Sequence, residues 1–108
     1  MLTAILVAAM LAVAPATAPA DAATAPHVVI SDYTFKSDSL TVCKGTTVTW
    51  KNSDDDPHTV TAYDGSFDSK GLGQGDTYTN TFDTVGSFRY YCKVHPYMKA
   101  VIIVKACP

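Results

Sequence analysis

Three side chains with sulfur or nitrogen donors recur at every third position near the end of the chain. They are Cys92, His95 and Met98, in the stretch "CKVHPYM". A thiolate, an imidazole and a thioether are ligands for soft and borderline transition metals, and a segment this short holds them on one loop. The spacing therefore predicts a metal site to which this loop contributes most of the ligands.

A further ligand has to come from elsewhere in the chain, and the other two histidines are His27 and His58. His58 is the better candidate, because Pro57 stiffens the backbone before it and because it shares a strand face with Val60. His27 lies near the expected start of the folded domain, where chains fray. With a second imidazole, the set becomes that of a trigonal His₂Cys copper site with a weak axial methionine.

Two other interpretations of the same residues stay open at this point. Taken singly, a cysteine at a strand end is typical of a small buried hydrophobe, and a methionine is typical of core filling. Zinc could use Cys92 and His95, although structural zinc sites usually have at least two thiolates and no thioether, which would leave Met98 without a role. The combination of four compatible donors favours copper.

The elements that must position these donors are predicted to be β-strands. In "TTVTWK", the apolar Val48 and Trp50 alternate with polar residues, which indicates a strand with one buried face. In "SFRYYC", the same period places Phe88, Tyr90 and Cys92 on one face. "HTVTAY" predicts a further strand with its first, third and fifth residues on one face, and "AVIIVKA" predicts a strand covered on both faces.

The rest of the mature sequence agrees with an all-β fold. All ten acidic residues are aspartate, which favours turns, and none is glutamate, which favours helices. The long irregular stretch "DGSFDSKGLGQGDTY" predicts a flexible turn; a phosphate loop is disfavoured because a strand pattern follows it instead of a helix. Several short strands separated by turn signals predict a single small β-sandwich or barrel.

The start of the chain predicts an exported protein. Residues 1–22 are interpreted as a secretory signal peptide, 23–27 as a short tail and 28–108 as the folded domain. The apolar stretch from Leu2 to Val13 is too short to span a bilayer and precedes small residues suited to cleavage, although no Lys or Arg occurs before Lys36. The formal net charge of −2 argues against nucleic-acid binding.

The stretches "NSDDDPHTV" and "GSFRYYCKVHPYM" resemble the cupredoxins, the small blue-copper proteins. The Cys-x-x-His-x-x-Met spacing is similar to that of amicyanins, whereas plastocyanin-like members place the methionine two residues further on. The resemblance implies a Greek-key β-sandwich and one copper ion. It also implies His58, Cys92 and His95 as the strong ligands and Met98 as the axial ligand, with Asn52 fixing the loop between the ligand-bearing segments.

The same resemblance implies two further features of this chain. In the cupredoxin sandwich the strand around Val42 runs beside the last strand, which would bring Cys43 near Cys107 and allow a disulfide in an exported protein. Val94 stands where the family commonly has proline. Its amide could donate a hydrogen bond to the thiolate, which would give a higher potential than in a Val94→Pro variant.

The function implied is that of a monomeric electron carrier that serves redox partner proteins and is not an enzyme. A site with four protein ligands has no open position for a substrate. His95 would present its ring edge as the electron portal, with Pro96 and Tyr97 in an apolar docking patch. Asp54, Asp55 and Asp56 are interpreted first as a solvated turn and second as steering groups for a basic partner. Two alternatives are a copper-delivery module without a redox partner, and a metal-free adhesion module.

Overall fold

The computed structural model describes residues 25–108, which form eight strands and no helix. The strands are β1 (His27–Ser31), β2 (Thr34–Phe35), β3 (Ser39–Cys43), β4 (Thr46–Asn52), β5 (Thr61–Ala62), β6 (Thr77–Phe82), β7 (Gly86–Tyr91) and β8 (Lys99–Lys105). They form two four-stranded sheets, in the orders β2-β1-β4-β6 and β3-β8-β7-β5. The predicted all-β sandwich of one small domain is confirmed, and the predicted signal peptide lies outside the described residues.

Parallel pairing between strands from distant parts of the chain sets the ends of the sandwich. β1 pairs in parallel with β4, and β3 pairs in parallel with β8. Since parallel strands end at the same edge of a sheet, the turn after β1 and the loop after β4 lie side by side. The register places Ile30 opposite Asn52, so the residues that follow each strand meet at this end of the sandwich.

The core forms from the inward-facing residues of both sheets, as the period-two patterns predicted. Val48, Trp50 and Tyr90 are completely buried, and the Trp50 indole donates a hydrogen bond of 3.2 Å to the Tyr90 hydroxyl. Burial raises the pKa of Tyr90 far above its usual value, so the phenol remains a neutral hydrogen-bonding group. This satisfied polar contact allows two large aromatic side chains to fill the space between the sheets.

The prediction that the last strand is covered on both faces was wrong for its outer face. Along β8, Ala100, Ile102 and Val104 are buried, whereas Val101 and Ile103 are only half-buried. β8 lies between β3 and β7 in its sheet, with no layer over its outer side within residues 25–108. Its apolar outer residues are therefore shielded only by neighbouring side chains.

The segment from 58 to 62 also differs from its prediction, because both of its sides are covered. Residues 58–62 are all buried, and only Thr61–Ala62 is a strand. The glycine-containing stretch folds back onto them through bridges between His58 and Leu72 and between Thr61 and Asp68. Phe67 and Leu72 are core residues of this stretch. The stretch from 64 to 76, which was predicted to be a flexible turn, is therefore a packed cover segment that holds His58 in place.

The predicted disulfide is present between Cys43 and Cys107, whose Cα atoms lie 5.4 Å apart. Cys43 ends β3 and pairs in register with Lys105 of β8, two positions before Cys107. The bridge joins these neighbouring strands near their shared end. Cys92 is thus the only free thiol among the described residues, and it is buried.

Candidate metal centre

Three of the predicted ligands converge at one end of the sandwich. The His58 Nδ1 atom lies 3.6 Å from the Cys92 sulfur, the His95 Nδ1 atom lies 3.9 Å from the same sulfur, and the two nitrogens are 3.2 Å apart. Within the described chain these three residues form a cluster whose ligand atoms all lie within 4.8 Å of one another. His58 and Cys92 are completely buried and His95 is half-buried.

The loop from Cys92 to Met98 is closed by its own backbone. The Met98 amide donates to the His95 carbonyl at 2.9 Å, and the Cys92 amide donates to the Met98 carbonyl at 3.1 Å. These bonds return the chain to the end of β7, and the Met98 side chain is buried. The short spacing of the motif is therefore the spacing of a compact loop that starts at the end of β7 and runs into β8.

His58 is held from the opposite side by the loop that follows β4. Its amide and carbonyl both pair with the backbone of Leu72, at 3.0 and 2.7 Å. The buried Asn52 amide group donates to the carbonyls of Asp56 and Leu72 and accepts from the Asp54 amide. Asn52 thus fixes the path of the chain to His58, which confirms its predicted loop-fixing role.

The triangle of donors has the size that one metal ion requires. Metal–nitrogen distances of about 2.0 Å and a metal–sulfur distance of about 2.3 Å, at angles between trigonal and tetrahedral, separate neighbouring donors by about 3.3–3.8 Å. The observed separations of 3.2, 3.6 and 3.9 Å lie inside this range or within about 0.1 Å of it. A thiolate with two imidazoles in a nearly trigonal arrangement is the donor set of a mononuclear copper site.

Comparisons with known proteins agree with this geometry. The family model of the cupredoxin-like domain matches residues 2–104. Amicyanin from Paracoccus versutus is 33% identical over 98 residues, which cover 86% of this chain and 72% of that protein. This chain belongs to the cupredoxin family.

Solved structures place the same fold in two settings. An oxidised amicyanin variant matches this cupredoxin with a TM-score of 0.71 and 28% identity, over 75% of this chain and 82% of that chain. A Cu-containing nitrite reductase from Thermus scotoductus matches with a TM-score of 0.71 and 29% identity, over 77% of this chain but only 23% of that chain. The first match spans most of a small cupredoxin, and the second spans one part of a much larger protein.

A carboxylate that the sequence did not assign to the site orients His58 in this cupredoxin. Asp54 accepts a hydrogen bond of 2.9 Å from the His58 Nε2 atom, which leaves Nδ1 directed towards Cys92 and His95. Partial burial alone would raise the pKa of Asp54. Hydrogen bonds from the Tyr33 amide, the His58 ring and the Asp32 amide outweigh this and hold that pKa below its usual value. An ionised carboxylate behind a ligating imidazole fixes the tautomer and strengthens the ligand.

We expect Asp54→Ala to weaken copper binding by about 10- to 100-fold, because the His58 ring loses the group that orients it. The measurement is a competition titration with a chelator of known copper affinity. Asp55→Ala is the matched control, since Asp55 is exposed and its side chain makes no hydrogen bond or ion pair within residues 25–108. Equal affinities of the two variants would contradict a role for Asp54 in orienting His58.

Tyr33, for which the sequence predicted no role, covers the two imidazoles from the turn between β1 and β2. Its ring meets the rings of His58 and His95 edge-on, with centroids 5.6 and 5.1 Å apart. Asp32 and Tyr33 both have positive φ angles, 53° and 57°, and the Asp54 carboxylate accepts both of their amide protons. The turn is thus held by the same carboxylate that orients His58. No sequence pattern signals this contact, because it depends on the pairing of β1 with β4.

The Cys92 sulfur receives its backbone hydrogen bond from a residue other than the one expected. The Thr59 amide donates to this sulfur at 3.3 Å. No hydrogen bond joins Val94 to Cys92 in the described part of the chain, and the Val94 side chain is half exposed. The expected difference in potential between this protein and a Val94→Pro variant therefore has no basis in the structure. The amide that can tune the thiolate is that of Thr59.

Proposed function

We propose that this protein is a blue-copper electron carrier in which His58, Cys92 and His95 are the strong ligands and Met98 is the axial ligand. The observation that supports this most directly is the buried triangle of one sulfur and two nitrogen atoms, with edges of 3.2, 3.6 and 3.9 Å. Met98 is buried at the end of the same closed loop, as an axial ligand requires. His27 is exposed in β1 and lies outside the cluster.

The protein contributes rigidity to electron transfer. Cys92, His95 and Met98 belong to a loop that is closed by its own backbone hydrogen bonds. His58 is held twice, by the backbone of Leu72 and by the side chain of Asp54. Bound copper supplies the one-electron couple. Because the ligand positions are set by hydrogen bonds and packing that do not involve the metal, they change little when the charge at the site changes. Fast one-electron exchange requires that the ligand geometry change little between the two oxidation states of the metal.

Electrons enter and leave through the half-buried ring of His95. Apolar side chains are exposed around it, namely Tyr33, Val94 and Tyr97, with the exposed Pro96 between the latter two. The Tyr97 ring lies 6.0 Å from the His95 ring, centroid to centroid. An exposed apolar surface at a redox group is suited to short-lived docking of a partner protein. The predicted patch of Pro96 and Tyr97 is thus extended by Val94 and Tyr33.

The protein acts as an exported monomer and is not an enzyme. The triangle of strong ligands is completed by the buried Met98, which leaves no position for a substrate. The Cys43–Cys107 disulfide is consistent with export, because disulfides persist in oxidising compartments outside the cytoplasm. Residues 25–108 contain no helix that is long and apolar enough to cross a membrane.

The test is to add Cu(II) to the purified metal-free protein, to record its optical and EPR spectra, and then to measure electron self-exchange by NMR line broadening in a mixture of the two oxidation states. We expect an intense visible thiolate band and fast, reversible exchange. A blue protein that exchanges electrons only slowly would instead support a copper-delivery module. A protein that takes up zinc but no copper, or that binds neither, would overturn the proposed function.

A further inference from the structure

A chain of buried hydroxyl groups leads from the copper-binding loop to an aspartate in the cover segment. The Lys93 amide donates to the Thr59 hydroxyl at 2.8 Å, and the Thr59 and Thr61 hydroxyl oxygens lie 2.9 Å apart. The Thr61 hydroxyl is in turn 3.3 Å from the Asp68 carboxylate. Both threonines are only 6% exposed, so water does not compete for these bonds.

The direction of every bond in this chain follows from the charge of Asp68. Hydrogen bonds from the Lys93 ammonium group and the Lys70 amide lower the pKa of Asp68 to about 2, so its carboxylate is ionised near neutral pH and can only accept. Thr61 must then donate its single hydroxyl proton to Asp68. Thr59 must donate its own proton to Thr61, and it is left with lone pairs that accept the Lys93 amide proton.

The same carboxylate also holds the side chain of the residue at the other end of the chain. The Lys93 ammonium group lies 2.8 Å from the second Asp68 oxygen. Lys93 is therefore tied to one carboxylate twice, through its backbone by way of two hydroxyl groups and directly through its side chain. Lys93 directly follows Cys92, and Thr59 directly follows His58. The network thus joins the two segments that supply the sulfur and the first imidazole.

The bond that this arrangement controls is the one from the Thr59 amide to the Cys92 sulfur, at 3.3 Å. Its two partners belong to separate segments, and the hydroxyl chain sets their relative position. A hydrogen-bond donor stabilises negative charge on sulfur. A thiolate donates less of its charge to a Cu(I) ion than to a Cu(II) ion. The sulfur is therefore more negative in the reduced protein, and a well-formed hydrogen bond from the Thr59 amide stabilises that form more. This raises the reduction potential.

We infer that Thr61 and Asp68 are positioning residues for the thiolate: through Thr59 and Lys93 they hold the Thr59 amide against the Cys92 sulfur and thereby raise the reduction potential. The inference rests on the proposed function for its effect on the potential, but the hydrogen-bond network itself exists without metal. The simpler interpretation is that the network only clamps two segments together. A clamp would affect stability and leave the potential unchanged.

The experiment compares Thr61→Val, which has the same shape but no hydroxyl, with Thr61→Ser, which keeps it. Thr47→Val is the control for the same change of side chain away from the site, because Thr47 and Thr81 form an exposed hydroxyl pair, 2.7 Å apart, on the other sheet. The first readout is the exchange rate of the Lys93 amide proton in the metal-free protein. The second is the midpoint potential of the copper protein. A third variant, Asp68→Ala, repeats the exchange measurement without altering a fully buried side chain.

In Thr61→Val we expect the Lys93 amide to exchange about fivefold faster, since the loss of one ordered hydrogen bond costs on the order of 1 kcal/mol. We also expect a lower midpoint potential than in the wild type. Thr61→Ser should restore both values, and Asp68→Ala should show the faster exchange. If Thr61→Val matches Thr47→Val in exchange, or changes exchange but not potential, the inference is overturned even though the protein is blue. If no variant binds copper as a blue protein, the proposed function fails, while the exchange rates still report on the network.

Discussion

Cys92→Ser is expected to abolish the intense visible absorption of the copper-loaded protein. That absorption requires charge transfer from a thiolate, and a serine hydroxyl is a hard donor that stays protonated at neutral pH. The position is completely buried and serine has nearly the same shape, so the fold should survive the substitution. Copper affinity should also fall by more than about 100-fold, which is the upper range for loss of a group that only supports a ligand.

The measurement is an optical and EPR titration of the metal-free variant with Cu(II), followed by a chelator competition. Cys43→Ser/Cys107→Ser is the control, because it removes the two other cysteines of the chain and should leave the colour intact. If Cys92→Ser keeps the visible band, the assignment of the sulfur ligand is wrong. If both proteins lose the band, the colour depends on the disulfide and the site has to be reconsidered.

Loss of the disulfide is expected to have the largest effect on stability. Cys43 and Cys107 are 64 positions apart, and a cross-link over a loop of this length lowers the entropy of the unfolded chain enough to stabilise the fold by about 4 kcal/mol. A domain this small has a limited core, and a change of that size shifts its midpoint of thermal unfolding by on the order of 20 °C. The variant Cys43→Ser/Cys107→Ser should show this loss.

Denaturant unfolding of the metal-free proteins measures the difference in the free energy of unfolding between the double variant and the wild type, without a contribution from copper. Wild-type protein treated with a reductant should unfold like the double variant, whereas Cys92→Ser should unfold close to the untreated wild type. The unreduced, denatured wild type should contain one reactive thiol. Three reactive thiols would contradict the presence of the bridge. A difference below about 1 kcal/mol in the free energy of unfolding between the double variant and the wild type would contradict its stabilising role.

The predictions from sequence succeeded where neighbouring residues carry the information. The predicted donors Cys92, His95 and Met98 lie within one short loop, so their spacing alone limits how far apart they can be. Alternation at Val48 and Trp50 identified the buried face of β4, because a strand's side chains point to opposite faces in turn. Where a second layer covers the chain, alternation is lost, and the segment from His58 to Ala62 is buried at every position.

Apart from Asn52, the residues that support the site could not be predicted from the sequence. Asp54 was interpreted as part of a solvated turn or a steering cluster, and the structure shows its carboxylate bound to His58 and to the β1–β2 turn. Tyr33 contacts both imidazoles only because β1 lies beside β4. Asp68 lies in a stretch whose composition indicates a flexible turn, and it reaches Thr61 only after that stretch has folded over the strand.

The sequence by itself determined the candidate donors, the short loop that carries three of them and the β-strand character of the chain. These are properties of residue type and of spacing over a few positions, which the covalent chain imposes directly. Only the tertiary structure decided how the ligands are held. Asp54, Tyr33 and the Thr59–Thr61–Asp68–Lys93 network act through contacts between segments far apart in sequence. Such contacts follow from the pairing of strands and the packing of the cover segment, which no local pattern specifies.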